Sequence, residues 1–297
     1  MLRNTKNNYK SYSPYLFLIL PLIFYSIFVL YPLFGTIKLS LTDWDGYSAT
    51  KNFIGLKNYF KIFKGDPLFI KAFWNNIYWV ILGTIAPISL ALPLSSMLAS
   101  KVRARTFFRT VYFIPAILPA MVVGIIWGWV YNPIFGMLNV LLKKIGLASL
   151  TRAWLGEPST ALTALILAAA WSYFGFCLVI FLAALQNIDI SLYEAAEIDG
   201  ANSIQQFFYV TIPQLRGVLT MLLTYTMING FAKVFDIVWV TTEGGPANST
   251  EVLVTYIYRK AFQQNKVGYG SAMALTLSVL IVTLTVIFIK YRERGES

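Results

Sequence analysis

Glu194-Ala195-Ala196-Glu197-Ile198-Asp199-Gly200 forms a polar island between two long apolar runs, and the island continues to Thr211-Ile212-Pro213. Its own chemistry predicts a short helix. Asp189 or Ser191 supplies an N-cap, and Glu194, three residues after Ser191, makes a capping box with it. Ala195 and Ala196 are strong helix formers with small profiles, and Gly200 stops the helix by taking a left-handed conformation. A second helix is predicted over about 203–210, before Pro213 interrupts it. The product is a compact helix–turn–helix, acidic on one portion and slender enough to enter a groove. An ordinary connector resting on an anionic leaflet would be basic.

The flanking chain belongs in lipid. The 297 residues are 57% hydrophobic and 12% charged, with mean hydropathy +0.64, whereas a soluble domain carries roughly 25% charged residues. Six apolar segments reach the about 20 residues that a helix needs to cross the hydrocarbon core: 15–37, 73–99, 110–131, 161–186, 217–240 and 267–290. The expected fold is therefore an all-α membrane protein with six transmembrane helices. It has a leading segment 1–14, a membrane domain 15–290 that contains the loop 187–216, and a tail 291–297. Pro21, Pro32, Pro87, Pro93, Pro115 and Pro119 fall inside the spans, which implies kinked helices packed against protein. Gly124 and Gly128 make a GxxxG pair, and Gly268, Gly270, Ala272 and Ala274 a small-residue stretch. Both suit close helix approach.

The net charge is +11, but the basic residues cluster beside apolar spans. That placement favours anionic lipid headgroups over nucleic acid. Both termini are expected in the cytoplasm, with Arg3, Lys6, Lys10, Lys101, Arg103, Arg105, Arg109, Arg216, Lys290, Arg292 and Arg294 inside. The opposite loops hold about as many basic residues, among them Lys51, Lys57, Lys61, Lys64 and Lys71. The orientation rule, however, weighs short loops beside span ends, and the turn 101–109 has four basic residues and no acid. The first apolar run is longer than a cleaved signal core and lacks a clean cleavage site, so it reads as a retained span. Between 38 and 72, lysines alternate with Phe53, Leu56, Tyr59, Phe60, Ile62 and Phe63, as in an amphipathic helix lying on the outer interface.

Several chemistries drop out. Histidine is absent and Cys177 is the single cysteine, a packing residue in an apolar run. No disulfide within the chain, Cys/His metal site or Ser/His/Asp triad can form. No GxxxxGK[ST] occurs, so the chain has no phosphate-cradling P-loop of its own. The chain is not expected to be an enzyme. An ion-coupled secondary carrier of a small polar solute is the alternative. It would call for several membrane-embedded acids or inverted repeats, and the sequence offers one such acid, Asp236, and no evident repeat.

On the fifth span, Thr226, Asn229, Lys233 and Asp236 recur at helical spacing on one face. Polar and ionisable groups at that depth usually face a bundle interior or cavity. The same spacing also allows Lys233 to pair with Asp236 or to snorkel outward.

The spaced pattern Glu194-Ala195-Ala196, Gly200, then Val210-x-Ile212-Pro213 resembles the EAA loop of ABC-importer permeases. The family consensus ends Ile-x-Leu-Pro, so the departures here are conservative. Asp199 before Gly200 fits the sugar-importer branch. Phe108-Arg109, Trp127-x-Trp129-x-Tyr131-Asn132-Pro133, Gly136 and Asn139 are similar to that branch, as are Phe235-Asp236, Thr242-Glu243-Gly244-Gly245-Pro246, Tyr256-x-Tyr258 and Ala261-Phe262. The resemblance covers about residues 100–290 and implies a type I ABC importer permease in a bacterial or archaeal cytoplasmic membrane. Its partners would be a homologous second permease in a heterodimer, two ATPase subunits that bind ATP and magnesium, and an extracellular solute-binding protein. Glu194, Ala195, Ala196, Asp199 and Gly200 would couple to the ATPase. Alignment on the EAA loop with the maltose branch places Thr226, Asn229, Gly230 and Lys233, with Ser172, Tyr173 and Phe176 of the fourth span, along the solute path. Tyr173 and Phe176 equally suit packing or an interfacial belt. A disaccharide, a longer oligosaccharide and glycerol-3-phosphate all fit as solute.

Overall fold

A computed structural model describes residues 13–99 and 105–294. Arg3, Lys6, Lys10, Lys101 and Arg103 lie outside them, as do most of segment 1–14 and the last three residues of the tail. The first apolar run is one rod: α1 (Ser13–Tyr25) passes through a π-helical turn (Ser26–Leu30) into α2 (Tyr31–Ser40). Pro32, which has no N–H to donate, lies just after the π turn. The expected amphipathic helix is α3 (Lys57–Gly65), which buries Asn58 and Ile62 and exposes Phe60 and Phe63. Asp66 separates it from α4 (Pro67–Ala99), which begins six residues before the predicted span and accommodates Pro87 and Pro93.

The third apolar segment is not the single helix expected over 110–131. It is α5 (Arg105–Ile117) and α6 (Ala120–Val130), bent by 101°. Pro119 explains the break. It restricts Leu118 to non-helical backbone and has no N–H to offer the carbonyl of Pro115. That carbonyl accepts instead from the Ser172 hydroxyl at 2.8 Å and from the Leu118 amide at 3.3 Å.

After α7 (Met137–Lys144) the chain re-enters the bundle as α8 (Ala161–Leu185), then forms α9 (Ile190–Ile198), α10 (Ser203–Gln206), a π turn (Phe207–Thr211) and α11 (Ile212–Gln214). α12 (Arg216–Ala232) returns at 68° to the preceding stretch and is followed by α13 (Phe235–Thr241), α14 (Leu253–Tyr258), a π turn (Arg259–Gln263) and α15 (Val267–Arg294). Four of the described helices are long and apolar enough to cross a membrane, and the number reaches six where each bent pair makes one crossing.

α4 and α8 run parallel: Trp79 meets Ala164 and Ile166 at one level, and Leu92 and Leu98 meet Leu178 and Leu182 at another. α12 packs antiparallel to them, with Leu222 in the second layer and Gly230 against Val80 of α4. α15 completes the bundle through Tyr269, Met273 and Leu277 against Phe69 and Ala72. Lipid tails are as apolar as leucine, so such helices are held by close packing and polar links rather than by expulsion of water. Gly175 illustrates the packing, since a Cβ there would lie 2.0 Å from the Tyr112 carbonyl oxygen of α5. Gly124 likewise admits Val240, but Gly128 faces open space, so only half of the GxxxG pair packs.

Polar links concentrate at the end of the bundle opposite α9. The Asp66 carboxylate accepts from the Tyr256 and Tyr269 hydroxyls at 2.6–2.8 Å. Burial pushes that carboxyl up, but the hydroxyls of Tyr269 and Tyr256 and the Phe69 amide outweigh it and hold Asp66 below its ordinary 3.8. Asn76, fully buried, donates to the Gly230 carbonyl and accepts from the Leu253 amide, each at 2.8 Å.

Candidate functional site

α9 is built by local rules and held at its two ends. Asp189 is the N-cap and accepts from the Ser191 amide at 3.0 Å. Those backbone and side-chain contacts with Ser191 keep the Asp189 carboxyl below its ordinary range. The expected Ser191–Glu194 box does not form, because the helix starts at Ile190 and Ser191 is already inside it. A capping box forms instead at the next helix, where Asn202 and Gln205 exchange bonds of 2.8 and 2.9 Å.

The other end of α9 is a Schellman motif. Gly200 takes φ +81°, its amide donates to the Glu197 carbonyl at 3.0 Å, and the Ala201 amide reaches the Ala196 carbonyl at 2.9 Å. The Tyr193 hydroxyl bonds Thr211 at 3.0 Å and ties α9 to the following turn. Otherwise the helix projects. Glu194, Ala195, Glu197, Asp199 and Gly200 are exposed, Ala196 is half-buried, and Ile198 is 87% exposed. The second helix does not stop at Pro213 as expected; it bends after it, at the buried Leu215. Pro213, which has no N–H to donate, lies just after the π turn Phe207–Thr211.

Deeper in the bundle lies a cavity of about 150 Å³. Of the eight expected solute-path residues, Ser172, Tyr173, Thr226, Asn229, Gly230 and Lys233 line it. Phe176 and Asp236 do not. Phe176 stacks on Tyr225 at 5.4 Å and lies 5.6 Å from Tyr173, forming an aromatic layer between α8 and α12. Asp236 leaves the expected face because α12 ends at Ala232 and the chain restarts as α13, so helical spacing is broken between Lys233 and Asp236. An acid in the first turn of a helix is favoured by the helix dipole, and Asp236 occupies that position in α13. Among the described residues no ion pair joins Lys233 to Asp236, and both are exposed.

The cavity's polar groups are partly spent on their own helices. Thr226 donates to the Leu222 and Leu223 carbonyls at 2.9 Å, and the Asn229 amide to the Tyr225 carbonyl at 2.7 Å. The Asn229 backbone carbonyl accepts from the Lys233 amide at 2.8 Å, while its side-chain Oδ1 takes no bond among the described residues. The Tyr173 hydroxyl is buried beside Cys177 and has no nitrogen or oxygen partner among them. The arrangement offers acceptors, a cation and an aromatic wall.

Residues not foreseen from the sequence also line it, among them Trp79 and Gly83 of α4, Ala120 and Val123 of α6, and Ile237 of α13. Trp79 and Gly83 are four apart, a spacing that places both on one face of α4. Ligand pockets usually measure about 300–1,000 Å³, so this cavity of about 150 Å³ is small for a complete site.

Residues 91–295 match the family described as the inner membrane component of binding-protein-dependent transport systems. The chain is 38% identical to the probable ABC transporter permease protein YurN of Bacillus subtilis, over 97% of this chain and 99% of that one. It is 33% identical to the multiple sugar-binding transport system permease protein MsmF of Streptococcus mutans, over 99% of each. In fold it is similar to a crystallised bacterial ABC transporter involved in the import of the acidic polysaccharide alginate. That match has a TM-score of 0.78 and 23% identity, and covers 95% of each chain.

Proposed function

The chain belongs to the family of inner membrane components of binding-protein-dependent transport systems, and from that premise we propose that it forms half of a sugar-importing pore driven through α9. It is a permease of an ABC importer, and ATP hydrolysis belongs to separate subunits. Similarity to a multiple sugar-binding permease supports a carbohydrate as the solute, a di- or oligosaccharide ahead of glycerol-3-phosphate. The partners are a second, homologous permease, two ATPase subunits carrying ATP and magnesium, and an extracellular solute-binding protein. The setting is a bacterial or archaeal cytoplasmic membrane, with α9 and both termini on the cytoplasmic side.

The observation that carries the reading is α9 itself. A nine-residue helix with two acids and an 87%-exposed isoleucine is held by its caps rather than by the bundle. Such a surface calls for a partner of matching shape. ATP-driven closure of the ATPase pair moves α9, and the move passes through Tyr193 and Thr211 to the bend at Leu215 and so to α12. The α12 face with Thr226, Asn229 and Lys233, facing Ser172 and Tyr173, then opens alternately to the two sides. In this scheme the cavity of about 150 Å³ is one wall of a path that the second permease completes.

Affinity purification in mild detergent, with all co-purifying chains identified by mass spectrometry, tests the assembly. Recovery of an EAA-bearing permease and a P-loop ATPase, with sugar uptake that requires ATP in proteoliposomes, is expected. Uptake driven by a proton or sodium gradient in the isolated chain would replace this reading with an ion-coupled carrier.

A further inference from the structure

The segment Thr242-Glu243-Gly244-Gly245-Pro246 belongs to neither site described above. Its Thr242, Glu243 and Gly245 wall an open surface pocket of about 480 Å³ at the end of the bundle opposite α9, together with Trp239, Ala247, Asn248, Arg259 and Gln263. That volume lies within the about 300–1,000 Å³ typical of small-molecule sites. Trp239 is two residues from Ile237, which puts the two on opposite faces of α13. α13 is thus a shared wall, with Ile237 toward the inner cavity and Trp239 toward the outer pocket.

The pocket is held rigidly. Trp239 stacks on Phe235 at 5.4 Å and makes a T-shaped contact with Tyr258 at 4.9 Å. The loop above it is pinned by Thr250, which bonds Thr242 and the Gly245 carbonyl at 2.7 Å, and by Lys71, which donates to the Ala247 carbonyl at 2.9 Å. Arg259 pairs at 3.0 Å with Glu251, which is wholly buried, and also donates to the Glu243 carbonyl. A buried ion pair adds little net stability after desolvation; here it fixes where the guanidinium stands. A Cβ at Gly244, whose φ is +85°, would lie 2.6 Å from the Glu251 carboxylate, so only glycine lets the loop close over the pair.

An indole beside amides, a carboxylate, a hydroxyl and a guanidinium, all in a fixed frame, suits a sugar ring: its C–H face lies on the aromatic and its hydroxyls meet the planar polar groups. We propose that this outer pocket is a second saccharide subsite, holding one ring of the incoming solute before it passes α13 into the inner cavity. The proposal rests on the sugar-importer reading above.

The complete importer in nanodiscs, without solute-binding protein, is probed by saturation-transfer NMR with maltose, maltotriose, cellobiose and diacetylchitobiose. At least one is expected to show transfer. Its apparent affinity should fall about threefold to tenfold in Trp239→Ala, the range of a lost aromatic contact. Asn248→Gly, compatible with the left-handed φ of +56° at that position, and Gln263→Ala, an exposed residue, should weaken it too and serve where Trp239→Ala fails to assemble. Asn229→Leu in the inner cavity should leave part of the transfer intact. Absence of transfer from all four sugars, or transfer indifferent to the pocket variants, overturns the subsite. Loss of solute-binding-protein capture in these variants, with sugar transfer unchanged, overturns it in favour of a docking face. ATP-dependent uptake of a solute that is not a sugar would remove the saccharide reading of both sites; sugar uptake with indifferent pocket variants removes the outer subsite alone.

Discussion

Gly200 gives the sharpest test of how α9 works. Its φ of +81° closes the Schellman motif, and a Cβ there would meet open space. Replacement therefore acts through backbone conformation and not through a clash. An L-residue held left-handed costs about 1–2 kcal/mol, which shifts the balance between a capped and a frayed helix end by roughly 5–30-fold. Gly200→Ala should thus loosen α9 measurably, and Gly200→Asn less, because asparagine tolerates this region. Gly200→Pro goes further. Proline requires φ near −65°, and it removes the amide that donates to Glu197 at 3.0 Å. The motif cannot then form. In proteoliposomes containing the assembled importer, solute moved per ATP hydrolysed should decline in the order Gly, Asn, Ala, Pro, while recovery of the complex in the membrane stays level through Ala. Wild-type stoichiometry in Gly200→Pro at equal expression would refute the idea that a correctly ended α9 transmits force.

Glu194→Lys reverses the charge at an exposed position of α9 and should uncouple ATPase activity from uptake without preventing membrane insertion; vesicle uptake set against ATP turnover checks it. Asn229→Leu removes an acceptor from the cavity lining and should lower solute uptake while the purified complex keeps its subunit composition. Unchanged apparent affinity and maximal rate would take Asn229 out of the path. Asp66→Ala leaves two buried tyrosyl donors unpaired, at about 1–3 kcal/mol each, and should lower the thermal midpoint in detergent more than Asp66→Asn does. Because the folded-state carboxyl is held below its ordinary 3.8, its stabilisation is complete above that value and is lost as pH falls through and below it. The wild type should therefore lose more of its midpoint between neutral pH and about pH 3 than Asp66→Asn loses.

The parts of this fold that were legible in the sequence are those decided within a few residues. A helix between Asp189 and Gly200 follows from a cap, two alanines and a glycine, and the one local error, the capping box, came from a start at Ile190 that moved Ser191 inside. The apolar runs 15–37, 73–99, 161–186 and 267–290 likewise located continuous bundle helices, because lipid imposes a minimum length on any span, whereas 110–131 and 217–240 are each broken. The face carrying Thr226, Asn229, Gly230 and Lys233 was readable because α12 is continuous from Arg216 to Ala232. Asp236 fell off that face when continuity ended. Periodicity extrapolates a helix straight through a break that no proline or glycine announces at Lys233–Val234. At Pro119 the sequence carries a local signal, but its outcome is set elsewhere. A span can tolerate an interior proline, as α4 does twice; Pro119 instead turns the chain by 101°, because an α8 hydroxyl, Ser172, stands ready to satisfy the Pro115 carbonyl. That outcome depends on a partner 57 residues away. The network around Asp66 is more remote still, joining positions 190 and 203 residues apart, and no local pattern marks its members as neighbours. In such a chain the turns and caps are written locally, whereas whether a proline bends or breaks a helix, and which buried acid finds which hydroxyl, is decided by the neighbouring helix.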